Sequence, residues 1–164
     1  MSPDDTRAPA AGPTGVAYRK LLVPLDGSLI AQQVFLTAVQ LARLFGAQIH
    51  LLHVLEIEPA LPPAAHFVPD GLEAKLLSEG HAVLQRWMSS AADQVFGPPH
   101  VVVGDPWRRI LDVAREIGAD VIVIGSHRYR GVDRLLGTVS AKVVNHAGCD
   151  VLVVHHRSGT VPPG

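Results

Sequence analysis

The sequence predicts an α/β fold, a single Rossmann-like, doubly wound sheet of five parallel strands with four helices on its two faces. Two observations carry that expectation. From Tyr18 onward, short apolar runs alternate with longer stretches of helical spacing, the pattern of repeated strand–helix units. The apolar runs are nearly unbroken in valine, isoleucine and leucine, as suits parallel strands buried on both faces.

The first strand is expected in "KLLVPL" (Lys20–Leu25), stopped by Pro24 and the turn "DGS". Val34, Ala38, Leu41 and Phe45 then share one helical stripe, with Phe35 and Ala42 beside it. Ser28 is the candidate cap at the start of that helix and Gly46 at its end. "QIHLLHV" (Gln48–Val54) is the second strand. The four prolines of "LEIEPALPPAAHFVPD" forbid regular structure after it, and Glu58–Pro69 reads as a solvated connector or, alternatively, a lid beside the site. Periodicity predicts a long helix from Leu72 to Phe96, burying Leu76, Leu77, Gly80, Val83, Leu84, Trp87, Met88, Ala91 and Val95. "HVVV" (His100–Val103) is the third strand. Asp105 as N-cap and Pro106 at the first helical position start the next helix, which buries Trp107, Ile110, Leu111, Ala114 and Ile117 and ends at Gly118. "DVIVIG" and "DVLVVH" are the last two strands. Between them lie a loop containing Gly131 and a helix opening at Gly137-Thr138.

Ligands on such sheets bind beyond the carboxyl ends of the strands, near the switch point in strand order. The loops after Pro24, Val54 and Ile124 should therefore converge on a site.

Composition narrows the function. A chain of 164 residues that is 48% hydrophobic builds one substantial core. Its 14 basic and 15 acidic residues give a net charge of −1, which argues against nucleic acid as a partner. The single cysteine, Cys149, fits a reducing compartment. No run reaches the roughly 20 apolar residues of a membrane span, and the opening "MSPDDTRAPAAGPTG" lacks the apolar centre of a secretory signal. These features lead to the expectation of a cytoplasmic protein without membrane contact, with a folded domain over 18–156 and disordered tails over 1–17 and 157–164.

The familiar nucleotide and hydrolase fingerprints are absent. There is no G-x-x-x-x-G-K-[ST], no G-x-G-x-x-G after the first strand and no G-x-S-x-G elbow. What remains is Gly125-Ser-His-Arg128, eight residues, then Gly137-Thr138 opening a helix. Together with "KLLVPLDGS", "IHLLHV", "GDP", "ADVIVIGSH", "RLLGTVSAKVVNHA" and "DVLVV", in that order and spacing, this resembles the universal stress protein family. Nucleotide-binding members of that family carry G-x-x-G, eight or nine residues, then G-[ST].

The resemblance implies the strand order 3-2-1-4-5 and an adenine nucleotide, ATP, with Mg²⁺ or Mn²⁺ held by its phosphates. It implies that Asp26 sits by the adenine and ribose, with Pro24 shaping the wall, and that Val54 offers backbone hydrogen bonds to adenine. Gly125 would let the chain pass close to ribose and phosphate, and Gly137, Thr138 and Val139 would present N–H groups to the polyphosphate. A homodimer through the last strand, Asp150–Val154, is implied as well. Read from the residues alone, Asp26 is equally a turn or helix cap, Val54 a buried strand end, and Gly137-Thr138 a turn and N-cap.

Arg128 departs from the family pattern, which has glycine there. It either pairs with phosphate through its guanidinium or fills the cradle. The expected function is an ATP-binding regulatory protein of the stress response, with slow ATP hydrolysis as the most chemistry in view. A nucleotide-free interaction module of the same fold is the alternative. Adenylyl transferases and ATP pyrophosphatases of related folds should show H-x-G-H or S-G-G-x-D-S where this chain has "DGSLIAQQ". The nine histidines lack metal-ligand spacing, His155-His156 point to opposite faces if the last strand continues through them, and no metal site is expected. Cys149 reads as an inert thiol, and Trp87 and Trp107 as packing.

Overall fold

The computed structural model describes residues 17–56, 71–126 and 137–155. The elements alternate as β1 (Lys20–Pro24), α1 (Ala31–Phe45), β2 (Gln48–Leu55), α2 (Leu72–Ser89), β3 (His100–Val103), α3 (Pro106–Ile117), β4 (Val121–Gly125), α4 (Thr138–His146) and β5 (Asp150–Val154). The strands form one sheet in the order β3-β2-β1-β4-β5, every pairing parallel. The expected tails over 1–17 and 157–164, apart from residue 17, and the segment Glu58–Pro69 lie outside the described residues.

Side-chain alternation along the strands builds two cores. Leu21, Val23, Ile49, Leu51, Val121 and Val123 face α1 and α2, whereas Leu22, Leu52, Ile122 and Ile124 face α3 and α4. The start of the sheet is fastened by a carboxylate. Asp120 Oδ2 accepts from the N–H groups of Arg19 and Lys20 at 2.7 and 2.8 Å, aligning β1 beside β4. Tyr18 donates its hydroxyl to Asp150 at 2.8 Å, bringing the chain before β1 to the start of β5.

The structure corrects several boundaries. α2 ends at Ser89, not Phe96. The Ser90 hydroxyl donates back to the Trp87 carbonyl, and Val95–Gly97 then run beside β2. There the N–H of Ile49 bonds Val95, and the N–H of Gly97 bonds Ile49, both at 2.9 Å. Sheet pairing replaces the last helical turns, so Val95 is 66% exposed while Phe96 stacks on Phe35. The buried face of α2 is shorter than its periodicity suggests, since Leu76 is exposed. Contact begins at Gly80, where an added Cβ would fall 2.8 Å from Val101 Cγ1. Close approach there requires glycine.

Ser28 does not cap α1 with its side chain; its carbonyl accepts from Ala31 instead, and Ile30 holds the N-cap position. Asp105 does occupy the N-cap of α3, but its carboxylate pairs with Arg108 at 3.6 Å rather than with the helix N–H groups. Gly46 and Gly118 end α1 and α3 in the left-handed conformation, as expected of C-terminal glycines. β5 stops at Val154, one residue before His155, whose Nδ1 pairs with Ser126 Oγ at 2.9 Å; His156 lies outside the described residues.

Cys149 is half-buried, and burial, reinforced by Asp150 and Asp120, pushes its thiol up from the ordinary value. Trp107 lies partly buried between α3 and α4, with Lys142 and Arg108 over its ring at 5.4 and 5.3 Å. No helix among the described residues is long and apolar enough to cross a membrane.

A histidine pair lies between β2 and β3. His50 Nδ1 is 3.4 Å from His100 Nε2, and His50 Nε2 is 3.1 Å from Gln48 Oε1. Because the amide oxygen only accepts, Nε2 carries the His50 proton and Nδ1 is left to accept from His100. Burial, then His100 and Lys20, hold His50 below the ordinary histidine range. Burial also lowers His100, against Glu116 and with His81.

A native value below the unfolded one means that stability is complete above about pH 6.5 and falls as pH drops through the native values. Urea denaturation above and below that pH should show the wild type losing stability on acidification. A His50→Gln variant should lose measurably less.

Candidate functional site

The sheet reverses its winding between β1 and β4, and a cavity of about 630 Å³ opens beyond their carboxyl ends. Pro24, Asp26, Val54, Gly125, Gly137, Thr138 and Val139, widely separated in sequence, all line it. Arg128 and His127 lie outside the described residues. The apolar floor comes from Leu52 and Ile124 of the sheet, Ile30 and Val34 from the α1 side, and Ile110 of α3.

Two contacts set the shape of the cradle. An added Cβ at Gly125 would lie 2.8 Å from Ile30 Cγ2 and 3.1 Å from Val34 Cγ2. The glycine therefore lets the end of β4 pass tightly beneath α1, a packing reason that exists before any ligand is considered. The hydroxyl of Ser140, itself 1% exposed, donates to the Gly125 carbonyl at 2.7 Å. This bond draws the first turn of α4 onto the end of β4 and points that helix start at the cavity.

Among the described residues α4 has no side-chain cap, its N-cap position being Gly137. Its first intrahelical bond runs from the Ala141 N–H to the Gly137 carbonyl at 2.9 Å. The N–H groups of Thr138, Val139 and Ser140 precede that bond and have no acceptor within the helix. They sit at the positive end of the helix dipole, worth about half a unit charge. Thr138 is the first helical residue, with Gly137 in the N-cap position, so Thr138 is not the cap.

Val54 contributes through its backbone. The Leu52 carbonyl accepts from Leu25 in the direction of β1, and the Leu55 carbonyl accepts from Gly104 in the direction of β3. Strand alternation then turns the N–H and C=O of Val54 toward β1, beyond Pro24, its last residue paired with β2. Those groups meet the cavity rather than another strand.

Asp26 Oδ1 accepts from the Ser28 N–H at 3.1 Å, so Asp26 both closes the β1–α1 turn and lines the cavity. The turn-closing reading of this residue is thereby met, from a position on the cavity wall.

Sequence reasoning missed Glu56, Pro106, Ile110 and Ser140 as parts of this wall. Pro106 was available as a helix start after a strand, and Ser140 lies in the first turn after Gly137-Thr138. What the sequence lacked was the inward orientation of each. The carboxylates of Asp26 and Glu56 stand on the wall, and the Ser140 hydroxyl is committed to Gly125. An apolar slot with peptide donors at one end can hold a flat ring bearing an anionic tail. No nucleophile–base pair is assembled among the described wall residues.

The family model described as "Universal stress protein family" matches residues 17–155. The chain is 30% identical over 139 residues to universal stress protein MJ0531 of Methanocaldococcus jannaschii, covering 84% of this chain and 82% of that one. It superposes on the universal stress protein UspA from Lactobacillus plantarum with a TM-score of 0.70 at 26% identity, covering 85% of this chain and 99% of that one. The universal stress protein from Archaeoglobus fulgidus in complex with dAMP gives a TM-score of 0.53 at 27% identity, with coverage of 84% and 98%.

Proposed function

Because the chain belongs to the universal stress protein family, we propose that it is an adenine-nucleotide-binding regulatory protein, with ATP as its ligand. The observation that carries this reading is the uncapped start of α4 aimed at an apolar cavity at the switch point of the sheet. The peptide donors of Thr138 and Val139 suit a polyphosphate, the Val54 backbone suits the hydrogen-bonding edge of adenine, and Asp26 suits ribose hydroxyls. The Archaeoglobus relative, solved with dAMP, supports an adenine nucleotide as the ligand class. Phosphates seated there would carry their own Mg²⁺ or Mn²⁺; Asp26 and Glu56 are the carboxylates on the cavity wall.

Equilibrium titration of the purified protein with ATP, AMP and cAMP, with and without Mg²⁺, tests the proposal. Saturable ATP binding supports it, and no binding of any adenine nucleotide rejects it in favour of a nucleotide-free interaction module.

Asp26 gives a sharper test. Asp26→Ala should cost about 1 kcal/mol of stability through the lost turn bond, whereas Asp26→Asn, which keeps the acceptor, should not. Both should weaken nucleotide binding if the carboxylate holds ribose. Thermal melting and calorimetric titration on the same variants separate the two roles.

Arg128 is proposed to contribute to the cradle through its guanidinium. Arg128→Gly should then weaken ATP more than AMP, and the wild-type preference should shrink as salt rises. ATP binding that appears only in the glycine variant would mean that the arginine blocks the site.

We also propose a homodimer through β5, an edge strand paired on one side only. Val151 and Val153 pack into the core beneath α3 and α4, so a charge there would damage the fold. Leu152, 37% exposed on the opposite face, is the cleaner probe. Leu152→Lys should shift sedimentation from dimer to monomer without lowering the melting temperature of the monomer.

A further inference from the structure

A second cavity, of about 670 Å³, opens on the other side of the β1–α1 turn against the C-terminal half of α2. It shares Leu25, Asp26 and Ala31 with the first cavity but no residue of α3 or α4, so it lies away from the uncapped helix start. Val83 and Trp87 give it an apolar wall. The indole of Trp87 is held in place by Phe35, with ring centroids 4.9 Å apart.

Its polar groups are arranged for a ligand of limited charge. Among the described helix arginines, Arg43, Arg108, Arg109 and Arg115 are each held by an aspartate. Arg86, on the cavity wall, has no carboxylate partner among the described residues. His53 donates Nδ1–H to the Leu25 carbonyl at 2.8 Å, which fixes the tautomer and leaves Nε2 as an acceptor. Gly80 makes room for that ring, since a Cβ there would approach His53 Cδ2 to 3.3 Å. Ser28 Oγ, on a residue of the same wall, is buried with no hydrogen-bond partner among the described residues.

We propose that this cavity binds a small aromatic monocarboxylate carrying a ring hydroxyl or ring N–H. The ring lies against Trp87 and Val83, the carboxylate meets Arg86, and the ring donor meets His53 Nε2. Guanidinium pairs with carboxylate in a planar fork, and an indole offers a flat, weakly hydrated surface. A polyphosphate is disfavoured, because one arginine stands alone here and Asp26 shares the wall.

The test uses the full chain with Trp107→Phe, which leaves Trp87 as the one indole of the two in the sequence. The Trp87 indole N–H signal is followed by NMR during titration with 4-hydroxyphenylacetate and, separately, with its neutral analogue 4-hydroxyphenethyl alcohol. The acid should shift the signal saturably and bind about tenfold more tightly than the alcohol, the size of one charge-assisted contact. Arg86→Gln should abolish that preference while leaving the fold unchanged by circular dichroism. The proposal is overturned if the indole signal does not move, if acid and alcohol bind equally, or if Arg86→Gln keeps the preference. A titration that AMP abolishes and Arg86→Gln leaves intact would assign the acid to the first cavity, and would also overturn it.

Discussion

β1 and β4 are sealed on both faces, and that constraint organises the molecule. Leu21, Leu22, Val23, Ile122 and Val123 are fully buried, so neither strand can present a polar face to water. Their peptide groups are satisfied by neighbouring strands. Parallel neighbours are reached only by crossovers, and here the crossovers supply α1 and α2 to one face and α3 and α4 to the other. Once the strands run the same way, all their carboxyl ends share one rim. The reversal of winding between β1 and β4 then leaves a gap in that rim which no side chain is required to fill.

The gap becomes a site through two local devices. Gly125 ends β4 without a Cβ, and Ser140 reaches back to its carbonyl, so the start of α4 is docked at the rim rather than free to swing. Gly137 in the N-cap position brings no side chain to the first peptide donors of the helix, and among the described residues no side chain caps them. Uncapped donors are a cost to a helix in isolation and an asset beside an anion. The same glycine thus serves packing against α1 and the geometry of the cradle, which makes its presence weak evidence for either role alone.

The two cavities divide the surroundings of the β1–α1 turn by chemistry. One has peptide donors and lies between the two halves of the sheet. The other has an aromatic wall and a lone guanidinium, and lies over α2. Asp26 and Leu25 belong to both walls, and the Leu25 carbonyl is tied to His53 across the turn. A ligand in either cavity therefore touches the turn that shapes the other. Ala31, in the first turn of α1, belongs to both walls as well, and the Asp26–Ser28 bond closes the turn between them.

The order of strands and helices was legible in the sequence because a strand buried on both faces leaves an unbroken apolar run, and an amphipathic helix leaves a 3.6-residue period. Glycines at Gly46 and Gly118 marked helix ends for a local reason, the left-handed conformation. The end of α2 was not legible. Periodicity persists through Val95, but whether those residues continue a helix or pair with β2 depends on Ile49 being within reach, a non-local fact. Ser28 and Asp105 likewise looked like side-chain caps, since composition cannot say where a short side chain points.

At the site, the family resemblance pointed to Pro24, Asp26, Val54, Gly125 and Gly137-Thr138-Val139, each adjacent to the end of a strand or the start of a helix, and to Arg128, which lies outside the described residues. It could not supply Ile110, Glu56 or Ser140. Their inward orientation is set by how α3, α4 and the end of β2 pack on the sheet, and only the tertiary structure decides that.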